Sequence, residues 1–256
     1  FVNNYFYSLT PKFLLRYAPG HMRNTEGGSR LNYSNLFNLS KLEENDVLEP
    51  GLSSSIGFEY KKNEYDNKSL IGDEILSFSV GQVISEKENM NVPSRTSLDQ
   101  RFSDVVGESK YNINDKINLN YNFSIDQGYK TFNYNEVGAD FAFEQAKFNL
   151  SYLNEKNHVG NQEFVQTGVD FLINKSSEFS VNTKRNLLTN SAEFYNLSYN
   201  YINDCLKAGI AYRREFYTDR DVEPTNTLMF TISIIPFAEI NSPGFSKWEK
   251  LILKLS

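Results

Sequence analysis

The chain has a single cysteine, Cys205, so no disulfide can close within it. It has two histidines, His21 and His158, and neither stands at metal-ligand spacing from the cysteine or from the other. A nucleophile elbow is missing, and so is a glycine-rich loop leading into a helix to cradle phosphate. A hydrolase would need a base beside its nucleophile, and His158 stands in an Asn-rich loop where a solvated histidine is the ordinary case. The sequence therefore points to no enzyme, no metal and no cofactor. No run approaches the roughly 18 apolar residues of a membrane helix, so any membrane crossing must be made by strands. The net charge of −6 argues against a nucleic-acid binder, which usually shows a basic face. Mean hydropathy, −0.51, reads as water-soluble, but a β-barrel with a polar lumen gives a weak signal per strand. No charged-then-apolar leader follows Phe1, and the chain reads as cut from something longer.

What the chain does have is aromatic residues, 16 Tyr and 20 Phe, and an alternation of apolar with polar positions. The clearest case runs from Lys116 to Ile125. Ile117, Leu119, Tyr121, Phe123 and Ile125 are apolar, and Asn118, Asn120, Asn122 and Ser124 separate them. Strand side chains point to opposite faces with period two, so this segment has one apolar and one polar face. Its length of about ten residues suits a strand tilted across a bilayer. The five apolar residues are expected to face lipid and the asparagines the lumen. Similar segments recur, at Tyr5 to Tyr17, Leu31 to Leu39, Gly51 to Tyr60, Glu74 to Ile84 and Arg101 to Asn112. Others follow at Asn135 to Glu144, Phe148 to Tyr152, Val165 to Ile173, Glu178 to Lys184, Ala192 to Tyr201, Cys205 to Arg214 and Thr227 to Phe237. The fold class implied is all-β, an antiparallel transmembrane β-barrel of about thirteen strands in this chain.

Connections alternate between long and short when followed back from Phe237, as in outer-membrane barrels with long loops on one side and short turns on the other. Before Asp73 the rhythm fails, because 18–30 and 61–73 are long where turns are expected. In the tail, Trp248, Leu251, Ile252 and Leu255 stand at helical spacing, which fits an amphipathic end on the rim or a membrane-surface anchor. The charges Glu215, Asp219, Arg220, Asp221 and Glu223 fit a solvated loop or carboxylates for divalent cations bridging lipid phosphates. Cys205 follows the tight turn at Ile202 to Asp204. A lone cysteine is usually a small buried hydrophobe, but on a periplasmic rim the compartment would be oxidising.

Several stretches resemble the C-terminal barrel of the outer-membrane LPS-assembly protein, the organic-solvent-tolerance family. They are RYAPGHMRN from Arg16, FSVGQVI from Phe78, SDVVGE from Ser103, and the run from Asp204 to Ile234. The resemblance implies a very large barrel of which residues 1–240 form a C-terminal portion, a partial barrel, with 241–256 as a tail. It also implies a missing periplasmic domain, a lipoprotein plug in the lumen, and lipopolysaccharide received from a periplasmic bridge and passed into the outer leaflet. The location implied is the Gram-negative outer membrane. Some members of the family carry a vicinal cysteine pair that bridges to the N-terminal domain. Here Asp204 precedes Cys205, so at most one such bridge is expected.

The last strand carries a further expectation. Thr227, Leu228, Phe230, Ile232 and Ile234 build a strand with an unbroken apolar face, and Pro236 interrupts its end. Proline cannot donate a ladder hydrogen bond, so it either ends the strand at the rim or weakens the seam with the barrel's first strand. The family resemblance implies lateral opening at that seam. A general porin explains the strands and loops but not the scattered motifs, and a β-rich surface adhesin explains the low hydropathy.

Overall fold

A computed structural model describes residues 5–43, 48–64, 72–156, 161–216, 225–234 and 238–241. Thirteen strands lie in one sheet in sequence order, β1-β2 through β12-β13. They are β1 Tyr5–Ala18, β2 Gly51–Glu64, β3 Glu74–Ser85, β4 Val105–Asn114, β5 Ile117–Ile125, β6 Phe132–Ala142 and β7 Ala146–Glu155. Then come β8 Gln162–Asn174, β9 Ser177–Asn186, β10 Ser191–Ile202, β11 Leu206–Glu215, β12 Asn226–Ile234 and β13 Ala238–Asn241. The one helical turn among the described residues is the 3-10 segment Ser94–Thr96. Among the described residues no pairing joins β13 back to β1. The chain divides into two compact units, Phe1–Gly138 with Leu153–Gln162, and Ala139–Tyr152 with Glu163–Ser256.

One expected strand is absent. Residues 33–39, inside the segment read as Leu31 to Leu39, are turns. Asn32 and Asn35 cross-bond, each side-chain oxygen accepting the other's backbone N–H at 2.9 and 3.0 Å. The Asn35 amide also donates to the carbonyls of Arg30 and Lys41. Such local side-chain bonds offer the backbone an alternative to a ladder. Removing this strand restores part of the loop rhythm, because 19–50 becomes a single connection at the same end as 86–104, 126–131 and 156–161, while the nine-residue β2–β3 connection at the other end stays longer than a turn. The opposite end has tight turns. Their asparagines close them: Asn114, Asn174 and Asn203 each accept a backbone N–H two residues on.

In the first unit the core lies between loops and sheet. Leu31, Tyr33, Leu36 and Leu42 from the first loop meet Val92 and Leu98 from the 86–104 loop, over Val83 of β3 and Val106 of β4. The two loops interlock through backbone bonds from Thr25 to Asn91 and from Leu31 to Thr96. Gly57 and Gly81 are direct partners, and the sheet there has no side chains to hold the loop away. A Cβ on Gly81 would fall 2.4 Å from Leu36 Cδ2, and one on Gly57 3.1 Å from Phe37. Ser55 Oγ donates to the Leu36 carbonyl at 2.8 Å. At the loop's far end Arg16 and Glu49 form a buried ion pair, Nη1 to Oε2 3.1 Å, while Oε1 accepts the N–H groups of Lys41 and Leu42.

The face of β1 to β5 away from these loops is apolar and bare. Leu9, Phe13, Leu15 and Tyr17 of β1 are 61–70% exposed. Neighbouring rungs read Pro11, Phe58, Val80, Gly107, Phe123, and Leu9, Tyr60, Phe78, Ser109, Tyr121. The Phe123 ring covers Gly107 and stacks with Phe78 and Tyr121. An apolar face this continuous is larger than water-soluble monomers expose, and matches a wall that contacts an apolar phase.

Candidate functional site

Period-two alternation puts the polar half of β1 to β5 on the loop-bearing face. In the first unit one rung of that face reads Thr10, Glu59, Ser79, Glu108 and Asn122. Asn122 Nδ2 extends it by donating to Glu136 Oε2 of β6 at 2.9 Å, and the Tyr134 hydroxyl donates to the same oxygen at 2.9 Å. The next rung, toward the tight-turn end, reads Ser8, Lys61, Ser77, Lys110 and Asn120. An acidic row therefore lies beside a basic one.

Above the acidic row sits the first loop. The Tyr33 hydroxyl donates to Glu59 Oε1 at 3.3 Å, and burial followed by the Glu59 charge pushes the Tyr33 pKa up to about 12. Arg30 fastens the loop to the ends of β6 and β7. Its Nη1 donates to the Asn133 carbonyl at 2.8 Å, and its Nη2 to the Lys156 carbonyl at 2.6 Å. Its Nε stands 3.3 Å from Glu155 Oε1, an ion pair whose alignment falls short of a hydrogen bond. Burial pulls the Arg30 pKa down, opposed by the charges of Glu155 and Asp104. Asp104 accepts from Ser124 at 2.7 Å and Asn133 at 2.8 Å. Burial likewise lowers the pKa of Lys41, with Arg16 adding to the effect, and raises that of Asp99.

The β5–β6 connection turns on Asp126. Its Oδ1 accepts the N–H groups of Lys130 and Thr131 at 2.8 and 2.9 Å. Those bonds favour the ionised form and hold its carboxyl below the usual 3.8. A depressed acid pKa contributes stability above the unfolded value and loses it as pH falls through the folded one. Amide exchange at Lys130 and Thr131 should therefore speed up selectively on acidification below about pH 4. Asp126→Asn should show no such acid-dependent step.

Of the residues singled out from sequence, Ile117, Leu119, Tyr121, Phe123 and Ile125 share the face of β5 opposite the loops. Asn122 and Ser124 lie beneath the loops, bonded to Glu136 and Asp104. Cys205 is exposed and free at the β10–β11 turn, its N–H donated to Asn203 Oδ1 at 3.0 Å. Thr227, Leu228, Phe230, Ile232 and Ile234 lie in β12, with Leu228 opposite Tyr212 and Phe230 opposite Ile210. The segment from Thr227 was expected to close the sheet, but β13 lies beyond it, pairing Thr231 through Ile234 with Asn241 through Ala238. Pro236, Phe237, His158, Asp219 to Glu223 and the tail residues 242–256 fall outside the described residues. Glu108, Glu136 and Arg30 went unnoticed in the sequence. Glu108 and Glu136 are the polar partners in alternating strands, a signal that was available, whereas Arg30 acts across more than a hundred residues.

Solved structures similar to this chain include a triple mutant of the Rhodopseudomonas blastica porin, 10% identical, with 93% of each chain covered and a TM-score of 0.43. A second, titled "Asymmetric conductivity of engineered proteins", is 9% identical with the same coverage and TM-score. No curated protein matches the chain. A family model for LptD, LPS transport system D, matches residues 1–177. Family, all-β sheet and alternating faces agree, and the chain belongs to the LptD family of lipopolysaccharide-transport β-barrels in the Gram-negative outer membrane.

Proposed function

We propose that this chain is part of the outer-membrane wall that receives lipopolysaccharide from a periplasmic bridge and inserts it into the outer leaflet, around a lipoprotein plug in the lumen. The family match over residues 1–177 carries the reading. A sheet with one apolar and one polar face supports it, because an amphiphile needs both. Ile117, Leu119, Tyr121, Phe123 and Ile125 face lipid. Residues 1–240 are barrel and 241–256 a tail. The sideways exit lies at the C-terminal seam, where β12 contributes Thr227, Leu228, Phe230, Ile232 and Ile234, and Pro236 follows in the sequence, a residue that cannot donate a ladder hydrogen bond. Among the described residues β13 pairs with Thr231–Ile234 of β12.

The test is a cysteine at Leu228, a second on the facing first strand of the full-length barrel, and oxidation in cells. Surface lipopolysaccharide should stop accumulating when the seam is locked and recover on reduction. Unimpaired delivery with full cross-linking removes β12 as a gate. Cys205, exposed at the tight-turn end, bridges to a cysteine of the N-terminal part. The full-length protein should migrate differently on reducing and non-reducing gels, and Cys205→Ser should abolish the difference. Identical migration under all conditions rules the bridge out.

A further inference from the structure

The acidic row is roofed. A cavity of 470 Å³ lies between the first loop and the wall, bounded by Asn32, Tyr33 and Ser34 above and Glu108, Asn122 and Glu136 below. Arg30 and Glu155 close its side, already paired with each other. Among the described residues no hydrogen bond or ion pair reaches Glu108, and Glu136 uses one oxygen, Oε2, leaving Oε1 open. The free groups are therefore carboxylate acceptors, with the Asn32 amide as a donor beside them. The unpaired charge is negative, and it repels phosphate. It suits a ligand rich in hydroxyl donors and without charge, because hydrogen bonds from hydroxyls to ionised acceptors are the strong ones.

One rung away, toward the tight-turn end, Lys110 stands exposed on the same face, flanking Ser77 with Lys61. Lys61 is engaged by Glu74 at 3.4 Å, and Lys110 has no ion-pair partner among the described residues. The wall thus offers a cation to an anionic group at one level and acceptors to hydroxyls at the next. We infer that the cavity beneath residues 32–34 is a subsite for the uncharged sugar portion of a phosphorylated glycolipid, with the phosphates held back at the Lys110 level. The inference rests on the glycolipid-transport reading above.

The experiment uses full-length protein in cells, with p-benzoylphenylalanine at Ser34 or, separately, at Leu228 on β12. Cells make either lipopolysaccharide with its full sugar chain or a truncated form that keeps the phosphates and loses the outer sugars. Capture at position 34 should fall about tenfold with the truncated form, the loss expected for about one net hydrogen-bonded group. Capture at position 228 should not change. Glu108→Lys should restore capture of the truncated, phosphate-bearing form at position 34. Equal capture of both forms at position 34, or capture at 228 with none at 34, overturns the subsite and leaves the transport reading standing. Capture at neither position overturns the transport reading itself.

Discussion

Replacing Glu49 with alanine should detach the first loop from the wall. Glu49 is 9% exposed and holds three things at once: the Arg16 guanidinium and the N–H groups of Lys41 and Leu42. Arg16 is itself 7% exposed, so the substitution leaves a buried guanidinium with the Glu49 carbonyl but without the carboxylate, and leaves the N–H groups of Lys41 and Leu42 unpaired. Removing one partner of a buried ion pair costs about 3–5 kcal/mol. The rest of the sheet does not share the loss, because strand pairing elsewhere is untouched, and local opening is governed by local contacts. The expected result is rapid proteolysis within 19–43 in a barrel that still inserts and migrates as folded. Glu49→Gln, which keeps one acceptor for the amides, should fall between. If wild type and Glu49→Ala are cut at the same rate, the ion pair is not what holds the loop.

Phe123→Arg and Asn122→Arg form the second pair. The two residues are neighbours on β5 with opposite facing. Phe123 lies over Gly107 within an aromatic row of Phe58, Phe78 and Tyr121. An arginine near the bilayer midplane on the lipid face of a barrel costs about 2–4 kcal/mol, and here it also removes the ring stacking. At Asn122 the same arginine meets Glu108 and Glu136 on the polar face and costs far less. Folding into lipid vesicles, read by heat-modifiable mobility, should fail or slow for Phe123→Arg and proceed for Asn122→Arg. Equal defects would mean that the apolar face of β5 does not meet lipid.

The strands were legible because alternation reports facing directly, whatever lies on either side. β3 shows why: Ser77, Ser79 and Gly81 are buried, while Leu76, Phe78 and Val80 between them are not. In a water-soluble sandwich the apolar set would be the buried one. The same rule failed at Leu31 to Leu39, where Leu31, Tyr33 and Leu36 are buried by a second loop and by the wall instead of by strand neighbours. Hydrophobic spacing alone cannot tell a strand from a loop with a core of its own. The cavity was out of reach for a related reason. It depends on Tyr33, Glu108 and Glu136 meeting across long separations, which is fixed by the register of β2 to β6 and by the docking of a segment misread as part of that sheet.

The seat formed by Gly57 and Gly81 has a consequence for assembly. It exists only when β2 and β3 are aligned so that the two glycines are opposite each other. A slip of one residue would turn every side chain of the slipped strand to the other face, and β2 would then present Ile56 or Phe58 where Leu36 and Phe37 now rest. Loop docking must therefore come after strand pairing and can succeed in one alignment only. A sheet paired out of register would lack this seat, and 19–43 would stay undocked.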